Sequence, residues 1–225
     1  RAPWPRSAAP PSTVTSPWLL APPRATREPG LGSPDLEGRK FAVQGVGKVG
    51  SAFVQLLVEA RADVVIADSY QPTLDAALDK FGVESVPIAQ VHEVECDIFS
   101  PCALGAGLNE DTIPQLNCRA IVGSANNQLA TDKDAERLAE RGIVYGPDFV
   151  VNAGGLINVY DELRGYSKVR ALHRVDGIYE ATLRILRTAE EQDINPHAAA
   201  IHVAKERIQE IGDLRRFRRG GDDRN

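Results

Sequence analysis

"FAVQGVGKVGSAFVQLL", residues 41–57, sets a strand-like apolar run, three glycines and a helix-like run in direct succession. Glycines at this spacing also occur in ordinary turns, so the flanking sequence decides the matter. Here the loop leaves a predicted strand, residues 40–44, and opens a predicted helix, 49–61, with apolar residues at Val49, Phe53, Leu56, Leu57 and Ala60. In that setting Gly45 makes the tight turn and Gly47 lets backbone approach a phosphate with no Cβ in the way. Gly50 lets helix and strand pack closely. The loop residues Gly45, Val46, Gly47, Lys48, Val49 and Gly50 then form a cradle at a helix N-terminus, where free N–H groups and the helix dipole favour an anion. Lys48 can touch phosphate or remain solvated.

The pattern continues outward. "ADVVIAD" (62–68) is a β-branched strand closed by an acid. A carboxylate at Asp68 accepts hydrogen bonds from both adenosine-ribose hydroxyls and repels a 2′-phosphate, which favours NAD over NADP. The alternative role for Asp68 is a helix N-cap. "QPTLDAALDKFG" (71–82) has Pro72 at a helix start and Gly82 at its stop. Residues 96–102 and 119–125 read as buried strands, 132–142 as a helix, and "IVYGPDFVV" (143–151) as strand material. Strand and helix in alternation imply an α/β fold, a Rossmann-type doubly wound parallel sheet. After residue 152 only helical patterns remain, about 168–192 and 197–212, so C-terminal helices follow the sheet. Their face of Val169, Leu172, Val175, Tyr179 and Leu186 is expected to be partly uncovered.

Composition sets the limits. A balance of 43% apolar and 25% charged residues is that of an ordinary soluble chain. The net charge of −5 argues against a nucleic-acid partner held through phosphates, and no run is long enough for a membrane helix. Cys96, Cys102 and Cys118 lack a C-x-x-C pair and fit reduced thiols in a cytoplasmic protein. Residues 1–36 hold nine of the fifteen prolines and no lysine. We therefore expect segment 1–31 to be disordered, with a transit peptide as the weaker reading. Residues 32–212 form the nucleotide-binding domain with its C-terminal helices, and 213–225 a loose tail. His92, His173, His197 and His202 suit surface or capping roles. Asp161 and Glu162 suit a helix surface.

Three segments resist a packing explanation: "FSPCALGAGLN" (99–109), "GSANNQLA" (123–130) and "PDFVVNAGGLINVYDEL" (147–163). Each follows strand-like sequence, where open α/β sheets bind ligands. The amides of Asn126, Asn127, Asn152 and Asn158 both donate and accept, the pairing a nicotinamide carboxamide needs. Any one of them alone would suit a turn or cap.

With these segments in view, the stretch from about Gly32 to Ile208 resembles the nucleotide-binding domain of the Glu/Leu/Phe/Val dehydrogenase family. It is most similar to the leucine-specific members, with the valine-specific ones next. The resemblance implies NAD-dependent oxidative deamination of a branched-chain L-amino acid to its 2-oxo acid and ammonia, and assembly as a homo-oligomer. It places Ala103, Asn126 and Asn127 along the cofactor, Asn152 by the nicotinamide, and Leu156 and Val159 against the substrate side chain. An aliphatic Val159 would leave a γ-carboxylate unpaired, which favours aliphatic substrates. It also implies that acid–base chemistry belongs to a lysine-bearing "GGxKGG"-like segment of an N-terminal domain. That segment is not found in these residues, Lys40 being the first lysine. No catalytic or metal-ligating residue is therefore assigned, and the sequence reads as the cofactor-binding fragment of such an enzyme. The other reading is a free-standing, non-catalytic NAD-binding module or remnant.

Overall fold

The computed structural model describes residues 36–103 and 105–221, with side chains as far as Gly212. The proline-rich segment 1–31 and the last residues, 222–225, lie outside the described residues. Strand β1 (Lys40–Gln44) leads through the glycine loop into α1 (Lys48–Glu59), and β2 (Asp63–Ala67) leads into α2 (Gln71–Phe81). Pro72 stands in the first turn of α2, and Gly82 ends it with φ 64, a conformation that costs glycine nothing. A two-residue β3 (Glu84–Ser85) follows, then β4 (Cys96–Pro101), β5 (Cys118–Ile121), α3 (Asp132–Glu140) and β6 (Val144–Tyr145).

All strand pairs are parallel, in the order β3-β2-β1-β4-β5-β6. The chain winds outward from β1 in one direction and from β4 in the other, so the order reverses between these two neighbours. A crevice at their carboxyl ends is the usual ligand site of such a sheet. Alternation along β1 supplies both faces: Phe41 and Val43 pack with Val54 and Leu57 of α1 and Leu74 of α2. Ala42 faces the opposite layer with Phe99, Ile121 and Leu138. Helices therefore cover both faces, as the alternating pattern required.

The segment 143–151 departs from expectation. Only Val144–Tyr145 is strand, and Asp148–Val151 is a short helix, α4. Pro147 cannot donate to a ladder, so pairing stops before it. Then come α5 (Gly154–Glu162), α6 (Lys168–Gln192) and α7 (Pro196–Gly221). Helix α7 continues past residue 212, where a loose tail was expected. The run "DLRRFRR" contains no breaker before Gly220, so nothing in it ends the helix earlier.

On α6, Val169, Leu172 and Val175 are exposed as expected, but Leu186 is buried against the sheet. Ile185 and Ala189 of α6 pack with Ala199 and Ala200 of α7. Among the described residues no helix is long and apolar enough to cross a membrane.

Candidate cofactor-binding cleft

The glycine loop lies over the β1–β4 junction, and its three glycines are placed for different reasons. Gly45 has φ 96, and a Cβ on it would lie 2.8 Å from the Cβ of Ala103, which follows β4. A Cβ on Gly50 would lie 2.0 Å from the carbonyl oxygen of Gly45, so α1 closes on the loop only without a side chain there. Gly47 caps α1 with φ −63, and a Cβ there would meet nothing within 4 Å. The space beside Gly47 is thus open, while that beside Gly45 and Gly50 is filled by the protein itself.

Asp68 directly follows β2 and faces this loop. One of its oxygens accepts the Val46 N–H at 2.8 Å and the other the Tyr70 N–H at 2.8 Å. It is therefore not the N-cap of α2, whose cap position is Tyr70. Two oxygens offer about four acceptor sites, so hydroxyl donors can still be received. Val46 differs from expectation: its side chain is fully buried and its N–H is given to Asp68. It holds the loop rather than facing the cleft. Lys48 and Val49 are exposed on the first turn of α1.

The asparagine segment 123–128 follows β5 and is held on several sides. A Cβ at Gly123 would lie 2.0 Å from the Pro101 carbonyl oxygen, and one at Gly105 would lie 2.7 Å from that of Asn126. Ala106 N–H donates to the Asn127 carbonyl at 2.7 Å. The Asn152 amide donates to the Ser124 carbonyl at 2.7 Å and to Oδ1 of Asn126 at 2.8 Å. Asn126 and Asn152, distant in sequence, thus meet in one hydrogen-bonded group; Asn127, exposed with φ 51, stands beside them. Asn158 instead donates to Glu162 on the surface of α5.

Leu156 and Val159 share one face of α5 and are 74% and 53% exposed. A cavity of about 320 Å³ opens between α1 and α6, lined by Val49, Phe53, Leu56, Val122, Asn152 and Ile178.

Several polar residues outside the expected set proved structural. Gln128 and Asp148 are buried, and the carboxylate of Asp148 accepts the Gln128 N–H at 3.2 Å. Both stand in the quoted segments, but burial of a polar side chain leaves no periodic signal. Asp161, expected on a helix surface, is fully buried. It accepts from Arg170 Nε at 2.5 Å and Ser167 N at 2.6 Å. The Arg170 bond, followed by the Ser167 N–H, holds its carboxyl below the usual carboxylate range. His197 is packed against Tyr145 and Phe149, and His92 against Phe99, where burial lowers its pKa. Both were expected in surface or capping roles, and both are half-buried. Cys96 and Cys118 face each other across β4 and β5, and burial pushes both thiols up to about 12.

Known proteins share this architecture. Residues 68–215 match the family described as Glutamate/Leucine/Phenylalanine/Valine dehydrogenase. A leucine dehydrogenase of Thermoactinomyces intermedius is 42% identical over 203 residues, 90% of this chain and 56% of that protein. A phenylalanine dehydrogenase of the same organism is 45% identical over 196 residues, 86% of this chain and 54% of that one. The structure of an L-tryptophan dehydrogenase from Nostoc punctiforme superposes with a TM-score of 0.78 at 40% identity, covering 79% of this chain and 54% of its own. The chain spans little more than half the length of these relatives. By sequence and by fold, the chain belongs to the glutamate/leucine/phenylalanine/valine dehydrogenase family.

Proposed function

We propose that this chain binds NAD and forms the nucleotide-binding part of an enzyme that oxidatively deaminates branched-chain L-amino acids. The observation that carries this is the open space at Gly47, at the reversal point of the sheet, with Asp68 beside it. The free amides of the loop at Gly47, Lys48 and Val49 receive the pyrophosphate, with Gly45 and Gly50 shaping the turn. Asp68 uses its remaining acceptor capacity on the ribose hydroxyls. Ala103 borders the nucleotide. Asn126, Asn127 and Asn152 meet the carboxamide, and Leu156 and Val159 meet the substrate side chain.

When bound, NAD supplies the hydride acceptor. This chain's own groups orient it, and the three asparagines have no pKa near neutrality with which to move a proton. We therefore assign no catalytic base to these residues. We expect the complete enzyme to assemble as a homo-oligomer in the cytoplasm.

The similarity to phenylalanine- and tryptophan-specific relatives favours a second reading of the substrate, an arylalanine in place of a branched aliphatic. Both readings share the apolar pair Leu156 and Val159.

Calorimetry with NAD and NADP on the 225-residue protein tests the cofactor. NAD should bind and NADP should bind far more weakly; equal affinities would remove the Asp68 assignment. The same protein should form no NADH with millimolar leucine, valine, isoleucine or phenylalanine at alkaline pH. Turnover that survives purification and disappears in Gly47→Val would show a catalytic base within these residues.

A further inference from the structure

The asparagines of the cleft are mounted on a loop whose shape needs a cause. Residue Gln128 is 1% exposed, and its side chain turns back under that loop. Its amide nitrogen donates to the Gly123 carbonyl at 2.9 Å and to the Ala125 carbonyl at 3.0 Å, which uses both of its hydrogens. The two carbonyls fix the amide's orientation, because a flipped amide would set oxygen against both of them. The loop is also gripped from outside by α4. At one end of α4, Asp148 accepts the Gln128 N–H at 3.2 Å. At the other, Asn152 holds the Ser124 carbonyl and the Asn126 side chain. The Gln128 carbonyl in turn receives the Leu108 N–H at 3.0 Å. Inward movement is blocked, since Gly123 already lies against Pro101.

We propose that Gln128 is a positioning residue for nicotinamide recognition: its buried amide fixes the backbone of 123–127, and so the direction of Asn126 and Asn127, without touching the ligand. This rests on the assignment of those asparagines to the nicotinamide. The residue type follows from the two carbonyls. A Glu would bring a carboxylate against two acceptors, and a Met, of similar length, would leave both carbonyls buried without a donor.

The test is Gln128→Met in the 225-residue protein, with NAD and ADP-ribose affinities measured by calorimetry. ADP-ribose lacks the nicotinamide, so it reports the rest of the site. NAD affinity should fall roughly tenfold, towards that of ADP-ribose, while ADP-ribose affinity changes less than about twofold. In the cofactor-free protein, the amides of 124–127 should exchange with deuterium faster, with those of β1 and α1 unaltered. Unchanged NAD affinity or unchanged exchange overturns the role of Gln128 alone. Equal loss for both ligands overturns it as well, since it marks a general structural defect. Wild-type protein that binds ADP-ribose as tightly as NAD would remove the nicotinamide assignment itself, and this role with it. Should Gln128→Met fail to fold, Asp148→Ser loosens the same loop from outside and should give the same split between NAD and ADP-ribose.

Discussion

Exchanging single glycines of the loop for alanine should separate folding from cofactor binding. At Gly50 the added Cβ would sit 2.0 Å from the Gly45 carbonyl oxygen and 3.0 Å from its carbon. That oxygen belongs to backbone, and the Gly45 N–H is tied to the Ala67 carbonyl at 2.7 Å, so the loop cannot yield freely. Overpacking of this kind costs up to about 3 kcal/mol. Replacing a helical glycine by alanine returns about 1 kcal/mol. The difference, about 2 kcal/mol, lowers the Tm of a chain of this size by roughly 4–8 °C.

At Gly47 the sum is different. Nothing lies within 4 Å of the added Cβ, and φ is −63, which alanine adopts without strain. The gain of about 0.4–1 kcal/mol from a stiffer unfolded chain is offset by the poorer N-cap, leaving Tm within roughly 2 °C of wild type. The Cβ nevertheless fills the space assigned to the pyrophosphate, so NAD affinity should fall at least about tenfold. Thermal melts and calorimetry on both variants make the comparison. A Gly47→Ala protein that melts as early as Gly50→Ala, or that binds NAD normally, would refute the division of roles.

The remaining predictions follow from charge, burial and exposure. Asp68→Asn keeps an oxygen for the Val46 N–H but sets its NH2 against the Tyr70 N–H and removes the charge, so it should cost about 1 kcal/mol of stability and admit NADP; undiminished discrimination would show that Asp68 does not face the ribose. The carboxyl of Asp161 is held below its ordinary 3.8, so its stabilisation is complete above that pH and is lost as pH falls through the lower native value. Asp161→Asn should therefore weaken the protein near neutrality and flatten the acid limb of its urea-midpoint profile, and an unaltered limb would contradict the pairing with Arg170. Cys96 and Cys118, pushed up to about 12, contribute stability that is present below the ordinary thiol value of 9.0 and lost as pH rises towards about 12. Native protein should resist iodoacetamide near pH 8, and rapid alkylation of either thiol before unfolding would count against their burial. Leu163 and Val169, 83% and 81% exposed, should drive loose, concentration-dependent association. Light scattering that shows a clean octamer would contradict this.

The fold was legible because its signals are local. The run 40–57 carries its own strand, turn and helix, and the positive φ of Gly45 and Gly82 follows from the residue type. Where local signals conflict, the sequence misleads. "IVYGPDFVV" is apolar enough for a long strand, yet Pro147 divides it into β6 and α4. Short apolar runs do not distinguish the two states, and a single proline decides between them.

The site was legible only in part, for a different reason. Gly47, Asp68, Asn126 and Asn152, which we propose meet the ligand, were singled out because residue type and place along the chain both pointed to one. Gln128, Asp148 and Asp161 could not be found in this way, because a polar residue in a loop or on a helix has surface placement as its default. Their burial depends on partners distant in sequence: Gly123 and Ala125 are near Gln128, but Asp148 reaches it from another element, and Asp161 awaits Arg170 on the next helix. Only when α4 docks across the end of β5 does Asp148 receive the Gln128 N–H, and only then can Asn152 reach Ser124 and Asn126. The residues that would touch a ligand are thus written into short motifs, whereas those that aim them are set by packing between elements. Substitutions at Gln128 or Asp148 should accordingly alter recognition while leaving every motif of the cleft intact.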